Sequence, residues 1–314
     1  MKKFIFIIFL GLLYSSTIAQ QIPMYGQYIF NSSVINPAQA GAMGENQAGI
    51  LGRYQWVGID GAPSTHTAFA NLSLPHNLGM AVGIYQDNVG PVKDLTFQTD
   101  IAYSARLAEE WFLSAGIRMV TSSMSIDLTN LDNIIDSGDP MFNRDLSSGF
   151  RFNIGTGLLA FTNRHFFGIS MPRMLNLVNK DSHSVSHHLF IYGGSTFDIT
   201  PEITISPSAL FKNSELAPAQ FDINAIAGYD NMIDFGPMMR SNMAKGWIDA
   251  IGFLAGYHLN ENWYFGYMYE YPTNNMRVAT RQTHEISLRY QWESAKHEKY
   301  RKPSFFLNDR RGSR

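Results

Sequence analysis

The sequence contains no cysteine, carries little charge and, after residue 19, has no apolar run long enough to cross a membrane as a helix. Without cysteine the chain has no disulfide framework, no thiol chemistry and no lipoprotein anchor. Charged residues make up 16%, below the roughly 25% of ordinary soluble domains, whereas aromatic residues reach 13%. The formal net charge of −2 gives no reason to expect a nucleic acid as partner. Any membrane-spanning part of the mature chain is therefore expected to consist of β-strands.

The first residues, Met1–Ala19, have the layout of a secretory signal peptide. Two lysines precede the apolar run 4–13, and small residues form a cleavage site that ends at Ala19. We expect the mature chain to begin at Gln20. An N-terminal anchor helix is the alternative, but the apolar run is short for a membrane span.

The last strand-like run, His284–Trp292, alternates apolar and polar residues. On an extended strand the two sets fall on opposite faces: Ile286, Leu288, Tyr290 and Trp292 on one, Glu285, Ser287, Arg289 and Gln291 on the other. Such a strand suits the boundary between lipid and a watery lumen, where it would pair with the first strand near Gln47–Trp56 and leave the sheet without an edge. The same alternation also fits a half-buried strand of a soluble sandwich.

Alternation of period two dominates the chain beyond the Gly-, Asn- and Ala-rich segment 20–46. It predicts fourteen strands: 47–56, 65–74, 78–88, 94–108, 111–126, 150–163, 165–173, 187–199, 202–212, 219–230, 232–241, 247–259, 262–271 and 284–292. Every odd-numbered connection between them is expected to be longer than the even-numbered ones beside it, as in bacterial outer-membrane barrels.

We therefore predict an all-β fold, a transmembrane antiparallel outer-membrane β-barrel of about 14 strands over 47–292. The longest loops, 127–149 and 174–186, are expected outside the cell, and both termini in the periplasm.

The strand faces predicted to line the lumen carry mixed charges and amides. They include Gln98, Asp100, Arg106, Arg118, Asp222, Asn224, Glu285 and Arg289. Such side chains can line a water-filled pore, or they can pair with one another and fill the barrel. The many glycines and aromatic residues that also point inward favour a filled barrel.

No arrangement of residues predicts an active site, so we expect a protein that is not an enzyme and that binds no cofactor or metal. Two clusters have the composition of metal ligands: His183, His187 and His188 with Asp181, and Asp132, Asp136 and Asp139. The histidine cluster lacks the further ligands at fixed spacing of a zinc site, and the aspartate cluster lacks the spacing of a calcium loop. Gly155-Thr156-Gly157 has no helix after it to bind a phosphate, so close packing in the sheet explains it better.

The final segment, Glu293–Arg314, is basic although the whole chain is slightly acidic. Its candidate partner-binding residues are Lys296, Lys299, Arg301, Lys302, Arg310 and Arg311. Two interpretations stay open, a solvated tail and a binding segment for an acidic periplasmic partner.

Several short motifs run in order along the mature chain. They are Gln27-Tyr28, Asn36-Pro37-Ala38-Gln39-Ala40-Gly41, Arg53-Tyr54-Gln55-Trp56, Gly61-Ala62-Pro63-Ser64-Thr65 and His284-Glu285-Ile286-Ser287-Leu288. Together they resemble the PorP/SprF family of the type IX secretion system of Bacteroidetes. The resemblance implies an integral outer-membrane protein needed for type IX secretion and, in some members, for gliding motility. It brings no catalytic residues.

The partners that the resemblance implies are the periplasmic lipoprotein ring of the machine (PorK/GldK and PorN/GldN), a peptidoglycan-binding periplasmic protein and, for SprF-like members, secreted adhesin cargo with a C-terminal sorting domain. Outer-membrane lipid would surround the barrel. We predict a structural and docking component whose lead-in, 20–46, and tail, 293–314, engage periplasmic machinery. The main alternative is an outer-membrane transporter or channel for a hydrophobic or small solute, with the lead-in as a hatch. A secreted β-sandwich adhesin is a third, weaker reading.

Overall fold

The alternating sequence forms one antiparallel sheet that closes on itself. The computed structural model describes residues 25–42, 44, 46–128, 146–176, 187–214, 217–243, 246–274 and 282–292. The strands are β1 (Asn46–Tyr54), β2 (Ser64–Ser73), β3 (Leu78–Val89), β4 (Val92–Arg106), β5 (Phe112–Ile126), β6 (Leu146–Phe161), β7 (His165–Asn176), β8 (His188–Ser195), β9 (Phe197–Asp198), β10 (Ile203–Ser214), β11 (Ala217–Tyr229), β12 (Ile233–Asn242), β13 (Gly246–His258), β14 (Trp263–Pro272) and β15 (Thr283–Trp292).

The sheet is a closed barrel of fourteen strands, as predicted. Strands β8 and β9 both pair with β10 and form one interrupted barrel strand, while β10 pairs in turn with β11. The ends meet where β1 pairs with β15, from Asn46 opposite Trp292 to Tyr54 opposite His284. This pairing of first and last strands confirms the expectation from the alternating final strand, and it removes both edges of the sheet. No helix in the described part of the chain is long and apolar enough to cross a membrane.

The two faces of the barrel wall have opposite chemistry. On β4, Phe97 and Ile101 point outward and are 50% and 60% exposed, whereas Asp100 points inward and is fully buried. The same division holds on β15, where Ile286 is exposed and Glu285 is buried. An apolar outer belt around a polar interior is the arrangement of a transmembrane barrel, because the hydrocarbon core of a bilayer cannot solvate charges.

The connections correct part of the sequence prediction. All even-numbered connections are short: 74–77, 107–111, 162–164, 199–202, 230–232 and 259–262. At the other end, which we call the long-connection end, 55–63, 127–145, 177–187 and 273–282 are long, but 90–91, 215–216 and 243–245 are not. The predicted alternation is therefore wrong at three connections. Near 90–91 the strands pair up to Val89 and Val92, because Gly90 at φ +55° permits a tight turn.

The lead-in differs most from its prediction. Residues 25–42, here called the plug, are buried inside the barrel, whereas we predicted a periplasmic lead-in over 20–46. The plug contains two 3₁₀ turns, Ser32–Val34 and Pro37–Gln39, and the Asn36 side chain caps the second by accepting from the Ala38 N–H at 2.8 Å. Burial follows from composition, since Tyr28, Ile29 and Phe30 would otherwise expose apolar surface to water.

The plug crosses the lumen lengthwise. Its first residues contact Glu285, which lies near the long-connection end of β15. Its last residues contact Asn71 and Gly79 beside the short turn 74–77, and β1 then begins at that end. The described chain thus starts toward the long-connection end and finishes, at Trp292, at the short-turn end. That both termini are periplasmic concerns residues outside the described ranges and stays a prediction.

Candidate functional site

The plug and the inner wall share one hydrophobic core. It combines plug residues Tyr28, Ile29, Phe30, Ile35, Ala38 and Ala42 with wall residues Phe112, Leu159, Phe161, Phe166, Phe190, Tyr192, Leu210, Ile226, Met238, Leu254, Tyr264 and Met268. The wall residues come from strands around most of the circumference. Because the apolar side chains of the plug fill the space between opposite walls, the plug belongs to the core of the protein.

A wall carboxylate binds the amide groups at the start of the plug. Glu285 accepts hydrogen bonds from the Gly26 N–H at 2.8 Å and the Gln27 N–H at 3.0 Å, and it forms an ion pair with Arg53. Nearby, the Gln27 side-chain oxygen accepts from the Ser287 hydroxyl at 2.7 Å. Charge-assisted bonds to buried amides are stronger than neutral ones, so Glu285 is the main anchor of this end of the plug.

Wall cations bind the carbonyl groups further along the plug. Arg118 forms a two-pronged pair with Asp100, at 2.7 and 2.6 Å, and donates to the carbonyls of Val34, at 2.7 Å, and Ser33. Arg289 donates to the Phe30 carbonyl at 3.2 Å. These bonds satisfy carbonyl groups that have no sheet partner and would otherwise be costly to bury.

Tyrosine hydroxyls complete the polar contacts. The Tyr28 hydroxyl lies 3.3 Å from the Ser208 hydroxyl and accepts from the Asn224 amide at 3.0 Å. The Tyr25 hydroxyl shares a hydrogen bond with the Thr67 hydroxyl.

Six buried charged side chains form a continuous network in one half of the wall. They are Lys212, Asp222, Arg240, Glu270, Glu285 and Arg53, on β10, β11, β12, β14, β15 and β1. Lys212 pairs with Asp222, and Arg240 bridges Asp222, at 3.0 Å, and Glu270, at 2.7 Å. Arg53 closes the network to Glu285 and lies 3.6 Å from Glu270. Three cations balance three carboxylates, which makes burial of this many charges tolerable.

Glycines in the wall allow the plug backbone to approach closely. A Cβ on Gly116 would lie 2.5 Å from the Ala38 nitrogen and the Pro37 carbonyl carbon, and a Cβ on Gly79 would meet the backbone of Ala40. A Cβ on Gly157 would meet the Asn36 side chain.

Gly155 lies against the backbone of Pro172, on the neighbouring wall strand β7. The interpretation of Gly155-Thr156-Gly157 as a site of close packing is therefore confirmed.

The predicted lumen residues are placed as expected with one exception. Gln98, Asp100, Arg118, Asp222, Asn224, Glu285 and Arg289 are buried and point inward. Arg106 continues the same face of β4, opposite the buried Phe112, but it lies at the strand end, where it is exposed and donates to the Glu109 carbonyl at 2.6 Å. The charged side chains pair with one another, which confirms the filled barrel over the open pore for the described residues.

Sequence reasoning missed Arg53, Lys212, Arg240 and Glu270. Each occupies an inward position of an alternating strand, so the alternation itself was an available signal, but their pairing depends on the register between strands. The tail residues Lys296, Lys299, Arg301, Lys302, Arg310 and Arg311 lie outside the described residues, as do Asp132, Asp136, Asp139, Asp181 and His183. The part of the chain that the structure describes contains no group of three or more potential metal ligands.

These features define a plugged β-barrel of the outer-membrane type. The model of the family described as type IX secretion system membrane protein PorP/SprF matches residues 17–290, and the chain belongs to that family. The resemblance seen in the motifs is thereby confirmed, as is a role in type IX secretion at the level of the family. No curated protein matches the chain.

The chain is similar to solved structures of a channel and of porins. The CymD monoaromatic hydrocarbon channel is 11% identical, with a TM-score of 0.53 over 88% of this chain and 94% of that chain. A porin of Rh. blastica is 10% identical with a TM-score of 0.37, over 79% and 99% of the two chains. The KdgM porin is 7% identical with a TM-score of 0.38, over 78% and 99%. At 11% identity the similarity to CymD shows the fold alone. The barrel fold together with the membrane-protein family supports an outer-membrane location.

Proposed function

We propose that this barrel is a structural and docking component of the type IX secretion machine, held in the outer membrane and bound from the periplasm at its short-turn end. The observation that carries the proposal is the filled lumen. The plug is bonded to β15 through Glu285, to β5 through Arg118 and to β7 through Ser170, whose hydroxyl donates to the Ile35 carbonyl at 2.6 Å. A barrel packed in this way suits a rigid anchor.

The proposed partners are the periplasmic lipoprotein ring with its associated subunits and a peptidoglycan-binding periplasmic protein. Since Trp292 lies at the short-turn end, the tail 293–314 begins there. We propose its lysines and arginines as the contact to an acidic surface of the ring. The plug, by contrast, offers no exposed surface between residues 25 and 42, so this part of the lead-in is not proposed as a docking element. Assistance to secreted adhesins with C-terminal sorting domains, and a role in gliding motility, are further parts of the proposal.

Solute transport is the second candidate. One protein with a similar fold, CymD, is a monoaromatic hydrocarbon channel, and in a transporter the plug would act as a movable hatch. Movement would have to break the bonds of Glu285 and Arg118 to the plug backbone. Those bonds favour the anchor over the hatch.

A detergent pulldown from native membranes tests the docking role. Full-length tagged protein is expected to recover the periplasmic ring subunits, and a chain that ends at Trp292 is expected to recover at least about tenfold less. The magnitude follows from the loss of the seven lysines and arginines of the tail, since each exposed ion pair contributes about 0.2–1 kcal/mol.

Full-length variants separate the tail's basic residues from its length. Replacing Glu298 and Asp309 with Gln and Asn makes the tail more basic and should leave recovery at or above that of the wild type, whereas replacing Lys296, Lys299, Arg301, Lys302, Arg310 and Arg311 with Gln should reproduce the truncation. Equal recovery by the full-length and truncated chains would move the contact to the barrel. No recovery by either would contradict docking altogether.

A further inference from the structure

The lipid-facing wall has a groove across the strands where the barrel closes, with a volume of about 590 Å³. We call it the seam groove. Its floor lies at Gly52 of β1 and Ala68 of β2, which are diagonal neighbours, since Gly52 pairs with His66 and Ala68 pairs with Ile50. Ile50, Ile84 and Leu288 rise around them. The groove exists because a glycine and an alanine stand among large outward side chains.

The seam groove is apolar along its length and polar at one end. Tyr54, His66 and Gln86 line the end nearest the long connections, where β1 ends and β2 begins. The Tyr54 and His66 rings are in edge contact at 5.5 Å, and the Gln86 amide donates to Asn88 at 2.9 Å. Side chains that offer hydrogen bonds thus stand at the level of the strand ends, which is the depth of lipid head groups in a transmembrane barrel.

We propose that the seam groove binds one membrane phospholipid, with an acyl chain along Gly52 and Ala68 and the head group hydrogen-bonded by His66 and Gln86. The ring N–H of His66 and the amide of Gln86 would donate to phosphate oxygens of the head group.

The choice of a lipid follows from the surroundings of the groove. It is continuous with the barrel's apolar outer belt, where Ile50 is 58% exposed, Ile84 44% and Ile286 45%. A barrel of a membrane-protein family presents that belt to hydrocarbon, so a ligand with an apolar chain below and a polar group above matches both ends of the site. The proposal requires only that the barrel lies in a membrane, and it does not depend on the docking role.

A second outward groove provides an internal comparison. It has a volume of about 540 Å³ and lies over β11 to β14, with Ala225 and Pro237 at small positions between Ile223, Met239 and Phe253. It is also lined by Tyr269 and Tyr271, but its described lining residues include no histidine, glutamine, lysine or arginine. We expect it to hold a head group less tightly than the seam groove, because it offers tyrosine hydroxyls but no outward imidazole or amide like those of His66 and Gln86.

Native mass spectrometry of the full-length barrel in detergent, with added phosphatidylethanolamine, tests the proposal. The wild-type protein is expected to retain one phosphatidylethanolamine per barrel. Ala68→Leu, which fills the seam groove, and the double variant His66→Ala with Gln86→Ala, which removes the head-group donors, are each expected to retain about tenfold less. The control Ala225→Leu makes the same change in the second groove and should retain lipid like the wild type.

Folding is checked by heat-modifiable migration of each variant, which all should share because the changed side chains face outward. Equal retention by Ala68→Leu and the wild type would overturn the proposal. An equal loss in Ala225→Leu would also overturn it, since the retained lipid would then be ordinary boundary lipid.

Discussion

Replacing Glu285 with alanine is expected to lower the free energy of unfolding by about 3–5 kcal/mol, because it leaves a buried cation without its partner. Glu285 pairs with Arg53 and accepts the amides of Gly26 and Gln27. Among the described residues, Arg53 then keeps one ion pair, with Glu270 at 3.6 Å. The start of the plug loses its anchor in the same step. The temperature at which the barrel loses its fast migration in detergent gels measures the first effect, and protease cleavage within residues 25–30 measures the second.

Two further variants show whether the effect belongs to this carboxylate. Glu110→Ala removes a carboxylate from the exposed turn 107–111 and should change the unfolding free energy by less than about 0.5 kcal/mol. Glu285→Gln keeps an acceptor for the plug amides and removes the charge, so it should fall between the wild type and Glu285→Ala. A Glu285→Ala barrel with wild-type thermal stability and a protected plug would contradict the assignment of Glu285 as the anchor.

The wall of the barrel could be predicted from sequence because its determinants are local. A strand with a lipid face and a lumen face must alternate, and the alternation of His284–Trp292 alone assigns the outward Ile286 and the inward Glu285. Closure followed from the polar backbone, since an open edge cannot remain within hydrocarbon. The wrong lengths predicted for some odd-numbered connections had a local cause as well. Residues such as Val92 extend the strand pairing into segments whose sequence lacks clear alternation.

The plug could not be predicted because its position depends on contacts distant in sequence. Gly26 and Glu285 are 259 residues apart, and Asn36 and Leu158 are 122 apart. Residues 25–42 have no strand alternation of their own and only two short 3₁₀ turns. Their composition therefore predicts turns but does not place them inside the barrel. The charge network could not be predicted for the same reason, because Asp222 contacts both Lys212 and Arg240 only through the register of three strands.

Replacing Gly116 with alanine is expected to push the plug from the wall of β5. The added Cβ would lie 2.5 Å from two backbone atoms of the plug, at Ala38 and Pro37. The wall cannot yield, because β5 is paired along its length with β4 and β6, whereas the plug is held at this level by side chains. We expect a loss of about 1–3 kcal/mol in unfolding free energy, together with an ion conductance above that of the wild type in planar bilayers.

The matched control lies one residue away. Ala115 points outward and is exposed, so Ala115→Val adds volume to the same strand on the lipid side and should leave both stability and conductance unchanged. If Gly116→Ala also behaves like the wild type, the plug is not seated against β5. If the wild-type protein already conducts strongly, the filled lumen fails as the basis of the anchor proposal, and the hatch of a transporter becomes the better account. Conductance that appears only when the plug is displaced would instead show that this segment closes a barrel whose wall alone would enclose an open pore.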